Sequence, residues 1–113
     1  MHEFAVVMDI IRIVNEEAKA CGLRKVTRIN IVVGELSSMM DESVQMYFEI
    51  MAKDSVMADA VLKFEHKPAM LKCLDCGKEF GHEGSFKCPA CSGSCMLIGN
   101  TGREFYIRSF EGE

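Results

Sequence analysis

Four cysteines stand in two matched pairs, Cys73-Leu74-Asp75-Cys76 and Cys88-Pro89-Ala90-Cys91, with eleven residues between them. Thiolates are soft metal ligands, and two C-x-x-C units at this separation are the pattern of a tetrahedral four-sulfur zinc site. Each unit makes a tight turn that aims two sulfurs at one point. A short ribbon between the turns brings the second pair to the same ion. Gly77 after one pair and Ser92-Gly93 after the other suit zinc knuckles. A single C-x-x-C would leave a thioredoxin-like redox pair open, but the doubled unit argues for metal. Disulfides are the competing use, and nothing in the chain marks it for an oxidising compartment. Closed four-sulfur sites are structural, so zinc is expected to hold a fold here.

A second constellation opens the chain: Met1-His2-Glu3. The Met1 α-amine, the His2 imidazole and two deprotonated backbone amides can supply four nitrogens in a plane. Planar nitrogen fields suit Ni(II) and Cu(II) rather than zinc. The competing expectation is an inert terminus, as most termini are.

These groups need a scaffold. Residues 4–21 read as an amphipathic helix, with Phe4, Val7, Met8, Ile11, Val14, Ala18 and Cys21 at helical spacing. Gly22 is placed to cap it. Residues 26–33 read as a strand, with Thr27, Ile29, Ile31 and Val33 on one face and Arg28 and Asn30 on the other. A helix over 42–53 follows, capped by Ser38 or Asp41, with Val44, Tyr47, Phe48 and Met51 on one stripe. Residues 60–66 and 103–111 read as further strands. The expected architecture is α+β: a small three-stranded sheet with two helices on one face, plus an inserted zinc-ribbon-like module. The expected division is residues 1–68 with 101–113 as one domain, and 69–100 as the zinc domain. The module has almost no long apolar run, so metal must order it.

Composition narrows the function. The net charge of −4 argues against nucleic-acid binding, which runs on a Lys/Arg excess. The longest apolar stretch, Phe4 to Val14, contains Asp9 and Arg12 and is too short for a membrane span. It also lacks the flanks of a signal peptide, so six cysteines are expected in a reducing cytoplasm. Among the nine methionines, Met8, Met46 and Met51 sit at apolar helix positions and read as core filler.

Taken whole, the chain resembles the HypA/HybF family. The resemblance rests on Met1-His2-Glu3 opening directly on a helix, Val33-Gly34-Glu35-Leu36 closing the first strand, and the paired C-x-x-C units before Gly102-Arg103-Glu104-Phe105. It implies a nickel metallochaperone for [NiFe]-hydrogenase maturation, and in some members for urease. It implies His2 as nickel anchor, through imidazole and backbone amide, with the Met1 amine and Glu3 amide completing the plane. The Glu3 carboxylate and Asp41 would tune or gate that site. Cys73, Cys76, Cys88 and Cys91 would bind zinc. Implied partners are a nickel-handling maturation GTPase and the hydrogenase large-subunit precursor. The chain has no G-x-x-x-x-G-K-[ST] loop of its own, which fits reliance on a separate GTPase. It is not expected to be an enzyme. It is expected to be a monomer or a weak, domain-swapped dimer.

Other reactive side chains have plainer readings. Cys21 reads as a buried free thiol on the first helix. Cys95 follows Cys91 by four residues but breaks the paired pattern, so it reads as a bystander. His66 reads as a surface or structural residue. His82, between the cysteine pairs, reads as a solvated loop histidine, with a ligand or pH-sensing role as the alternative. The competing function is a zinc-ribbon adaptor that contacts proteins without handling nickel.

Overall fold

The computed structural model describes residues 2–82 and 86–113, with the side chain of His2 excepted. Eight elements follow one another: α1 (His2–Ala20), β1 (Val26–Gly34), α2 (Asp41–Met51), β2 (Val61–Lys67), β3 (Met70–Cys73), β4 (Glu79–Gly81), β5 (Cys95–Leu97) and β6 (Phe105–Gly112). They form two three-stranded sheets, in the orders β2-β1-β6 and β4-β3-β5. The chain separates into two compact units. The first holds the chain up to Val32, Ser38–Glu65 and Tyr106–Glu113; the second holds Val33–Ser37 and His66–Phe105.

In the first unit, α1 packs on α2. Val7, Ile10, Val14 and Ala18 are the buried stripe of α1, and Val44 and Phe48 that of α2. These spacings of three and four put each set on one helical face. Phe4 meets Tyr47 edge to face, ring centroids 5.9 Å apart. The stripe on α1 differs from the expected one: Ile10 is buried, while Phe4 and Met8 are about half exposed. Met46 is exposed as well, so Met8 and Met46 are not core filler.

Helix α1 ends in a Schellman motif. The Leu23 amide donates to the Ala18 carbonyl at 2.9 Å and the Gly22 amide to the Lys19 carbonyl at 3.1 Å. Gly22 takes φ = 75°, which costs glycine little. The cap turns the chain away one residue before Cys21 could extend the apolar stripe. Cys21 is therefore exposed, not buried. Helix α2 is capped by Met40, whose side chain makes no capping hydrogen bond, rather than by Ser38 or Asp41. Asp41 and Glu42 instead occupy the first turn, where acidic charge suits the helix dipole.

Strand β1 is the middle of its sheet and buries Val26, Ile29, Ile31 and Val32 in the first unit. Its register with the last strand is fixed by reciprocal backbone bonds between Lys25 and Glu113, of 3.0 and 2.8 Å. On the polar side, Asn30 Nδ2 donates to Ser109 Oγ at 2.9 Å and Arg28 Nε to Glu111 Oε2 at 3.1 Å. Alternation of β-branched core residues with this polar row is what the sequence pattern of β1 demands.

The second unit is a ribbon. β3 pairs antiparallel with β4, Leu71 opposite Phe80, and with β5, Leu71 opposite Leu97. Thr101 Oγ1 accepts from the Met70 amide at 3.0 Å and donates to the Ile98 carbonyl at 2.8 Å, fastening the end of the ribbon.

Candidate metal sites

Two turns of the ribbon have the same construction. In the first, the Gly77 amide donates to the Cys73 carbonyl at 3.1 Å, and the Cys73 amide to the Lys78 carbonyl at 2.9 Å. In the second, Ser92 donates to Cys88 at 2.9 Å, and Cys88 to Gly93 at 3.0 Å. The amides of Asp75 and Cys76 point at Cys73 Sγ from 3.4 Å, and that of Ala90 at Cys88 Sγ from 3.4 Å. The residue after each second cysteine has positive φ: Gly77 at 77° and Ser92 at 61°. A lone bridge between Lys87 and Ser94 and the Leu74 amide on the Ser94 carbonyl, 2.9 Å, tie the second turn to the ribbon. Gly93 is packed so tightly that a side chain there would collide with the Asp75 carboxylate and lie 3.2 Å from Cys73 Sγ.

The result is a cluster of the Cys73, Cys76, Cys88 and Cys91 sulfurs, all within 4.8 Å of one another. Cys73 Sγ is 3.5 Å from Cys91 Sγ, and Cys76 Sγ is 3.6 Å from Cys88 Sγ. Four sulfurs about 2.3 Å from a shared zinc ion would stand about 3.8 Å apart, so the donor set fits a tetrahedral ion. Electrostatics agree. Hydrogen bonds from the Cys76 and Asp75 amides draw the Cys73 thiol down to about 6. Cys91 receives a bond from the Gly93 amide, yet the adjacent Cys73 sulfur, burial and the other two cysteines push it up to about 12. Four thiolates this close cannot all ionise unless a cation shares their charge.

Cys95 is outside the cluster. Its Sγ approaches the Gly93 carbonyl oxygen at 3.6 Å, and burial together with the Cys73 charge raises its pKa. His82 is not a solvated loop residue. Its side chain is 14% exposed, its amide donates to the Ala69 carbonyl at 2.7 Å, and its ring lies 4.7 Å from that of Phe86. Its Nδ1 stands 3.7 Å from Glu35 Oε2, while Glu35 Oε1 accepts from the Ala69 amide at 2.6 Å. Glu35 is the residue that sequence reasoning passed over; its only signal was its place in Val33-Gly34-Glu35-Leu36. His66 is exposed in β2.

At the other candidate site, Met1 and the His2 side chain lie outside the described residues. Helix α1 starts at His2, so the amides of His2 and Glu3 belong to its first turn. Amides there have no carbonyl within the helix to donate to. The Glu3 carboxyl is held below its ordinary range, first by its own backbone amide. Asp41 is the first residue of α2.

A family model described as "Hydrogenase/urease nickel incorporation, metallochaperone, hypA" matches residues 1–112. The hydrogenase maturation factor HypA of Caldanaerobacter subterraneus subsp. tengcongensis is 40% identical over 114 residues, covering 100% of both chains. That of Moorella thermoacetica is 35% identical over 115 residues, again covering 100% of both. The solution structure of the nickel metallochaperone HypA from Helicobacter pylori superposes with a TM-score of 0.66 at 27% identity, covering 97% of this chain and 96% of that one. Another HypA solution structure gives 0.71 at 28% identity, covering 100% and 97%. From its first residues through β6, the chain belongs to the HypA family of hydrogenase maturation nickel metallochaperones.

Proposed function

We propose that the chain binds one Ni(II) at its N-terminus and passes it to a maturation GTPase and the hydrogenase large-subunit precursor, with urease a second candidate client. The ligands are the Met1 amine, the backbone amides of His2 and Glu3, and the His2 imidazole. The observation that carries this reading is that α1 begins at His2, inside a family match that itself begins at residue 1. First-turn amides can give up their protons without breaking a helix hydrogen bond. The positive end of the helix dipole favours the amide anion that results. Two amide anions balance the charge of Ni(II), and a planar nitrogen field is the one nickel prefers. Carboxylates of Glu3 and Asp41 near the same helix ends would tune the affinity. Cys73, Cys76, Cys88 and Cys91 hold zinc, which offsets half of their charge and fixes the ribbon that residues 69–100 form. No described helix is long and apolar enough to cross a membrane.

Nickel titration of the untagged chain tests this. One nickel per chain is expected, with affinity rising from about pH 6 to 8 as imidazole and α-amine lose their protons. His2→Ala, or residues added before Met1, should abolish the site while leaving zinc content and thermal stability almost unchanged. In cells His2→Ala should impair maturation of a nickel enzyme, and excess nickel should partly restore it. Full maturation in a His2→Ala strain at limiting nickel would overturn delivery and favour a zinc-ribbon adaptor.

A further inference from the structure

The ribbon carries a fifth thiol that the four-cysteine cluster does not use. Cys95 opens β5, and the antiparallel register sets it directly opposite Cys73 in β3. The Leu74 amide donates to the Ser94 carbonyl at 2.9 Å, and the Ile98 amide to the Met70 carbonyl at 2.8 Å. Facing residues in an antiparallel pair alternate between bonded and non-bonded positions. With 74 opposite 94 and 70 opposite 98 both bonded, 73 opposite 95 falls on a non-bonded position. Such residues have Cα atoms about 4.5 Å apart and side chains on one face. A disulfide needs Cα atoms about 4.4–6.8 Å apart. The backbone therefore already provides the span of a cross-strand disulfide.

We propose that Cys73 and Cys95 are a peroxide-sensitive redox pair whose disulfide withdraws Cys73 from the zinc site. The proposal rests on the four cysteines being that site. Cys95 is half-buried and Cys73 is 1% exposed, so of this pair Cys95 is the one that hydrogen peroxide reaches. Cys95 first gives its proton to solvent; the thiolate attacks one peroxide oxygen, the O–O bond breaks, the departing hydroxide takes up a proton, and a sulfenic acid and one water result. The Cys73 thiolate then attacks the Cys95 sulfur. The S–S bond forms, the S–O bond breaks, and the departing hydroxide takes a proton from solvent to become a second water. Two electrons leave the two sulfurs and one peroxide is reduced. Three thiolates remain for the metal, which binds more weakly. A dithiol reductant restores both thiols.

The test compares the zinc-loaded chain with Cys95→Ser under hydrogen peroxide. Zinc release is followed with a chromogenic chelator, and disulfides are mapped by non-reducing peptide mass spectrometry. Both proteins should hold one zinc per chain beforehand. The unsubstituted chain should release zinc several-fold faster, yield the Cys73–Cys95 cross-linked peptide, and recover zinc after dithiothreitol. Equal release rates, or cross-links confined to Cys73–Cys76 and Cys88–Cys91, would overturn the pair. Loss of zinc from Cys95→Ser before any oxidant would overturn it too, by making Cys95 a ligand. If the unsubstituted chain held no zinc, the zinc reading would fall, while the mapping would still decide whether Cys73 and Cys95 join.

Discussion

The first unit buries Val7, Ile10, Val14, Val26, Ile29, Ile31, Val44, Phe48, Met57 and Leu62, among others. The second buries only Val33, Ala69 and Leu71 among its described aliphatic side chains, together with the thiols of Cys73 and Cys88. Each buried Val, Ile, Leu, Phe or Met contributes about 1.5–3 kcal/mol. The first unit therefore has an apolar core that can offset the entropy of ordering its chain. Three small or medium aliphatic side chains cannot do so for the forty-residue stretch His66–Phe105. In one unit the sequence supplies the cohesion; in the other it supplies four clustered sulfurs, and on the proposed zinc reading the cohesion comes with the ion.

The strongest way to break this contrast is to remove the zinc. A structural zinc site is worth about 10–16 kcal/mol of binding free energy, much of it folding free energy. Chelation, or Cys88→Ser, should unfold the ribbon and leave α1, α2 and the sheet of β1 intact. Amide exchange would read this, with the Leu71 and Cys73 amides losing protection while those of Ile29 and Ile31 keep it. Acid should act in the same direction, because protons compete with the metal for the thiolates. X-ray absorption should report four sulfurs around the ion. A metal-free ribbon with protected amides would end the comparison.

The converse experiment has a smaller effect. Phe48 is 1% exposed at the centre of the first unit. Phe48→Ala should cost about 3–5 kcal/mol, a large share of the about 5–15 kcal/mol typical of a whole domain. Circular dichroism should show a much lower melting temperature. Zinc content should stay at one per chain, since none of the four sulfurs depends on Phe48. Loss of zinc on this substitution would mean that the ribbon folds only on a folded first unit.

What could be read beforehand divides along the same line. The clustering of the cysteine pairs was legible because each C-x-x-C turn is local, closed by hydrogen bonds within six consecutive residues. The helices and β1 were legible from periodicity. The buried face of α1 was not, because Val6, Val7, Met8, Ile10, Ile11, Ile13 and Val14 spread apolar surface around most of its girth. Packing on α2 then selected Ile10 over Met8. Cys21 was misplaced by one residue of helix termination, which Gly22 decided. His82 is packed beside Glu35, forty-seven positions away. No local pattern carries that. Short strands β4 and β5 have three residues each, too few for alternation to register.

The smallest effect comes from the positive-φ position, which the two turns fill with different residues. After the second cysteine, one turn has Gly77 and the other Ser92, both with positive φ. A side chain at Gly77 would meet nothing within 4 Å, so Gly77→Ala tests backbone conformation alone. It should cost about 1–2 kcal/mol, the penalty of a left-handed residue with a Cβ, and so weaken zinc binding by roughly five- to thirtyfold. Ser92 already bears that penalty. Ser92→Gly would relieve it but would add about 0.5–1 kcal/mol of chain entropy lost on folding. The net change should be near zero or slightly favourable. Competition with a chelator of known affinity measures both variants. Equal losses in the two would show that the turns are not built alike. A loss at Gly77 alone would show that backbone geometry, and not only the sulfurs, sets how tightly this unit closes on its metal.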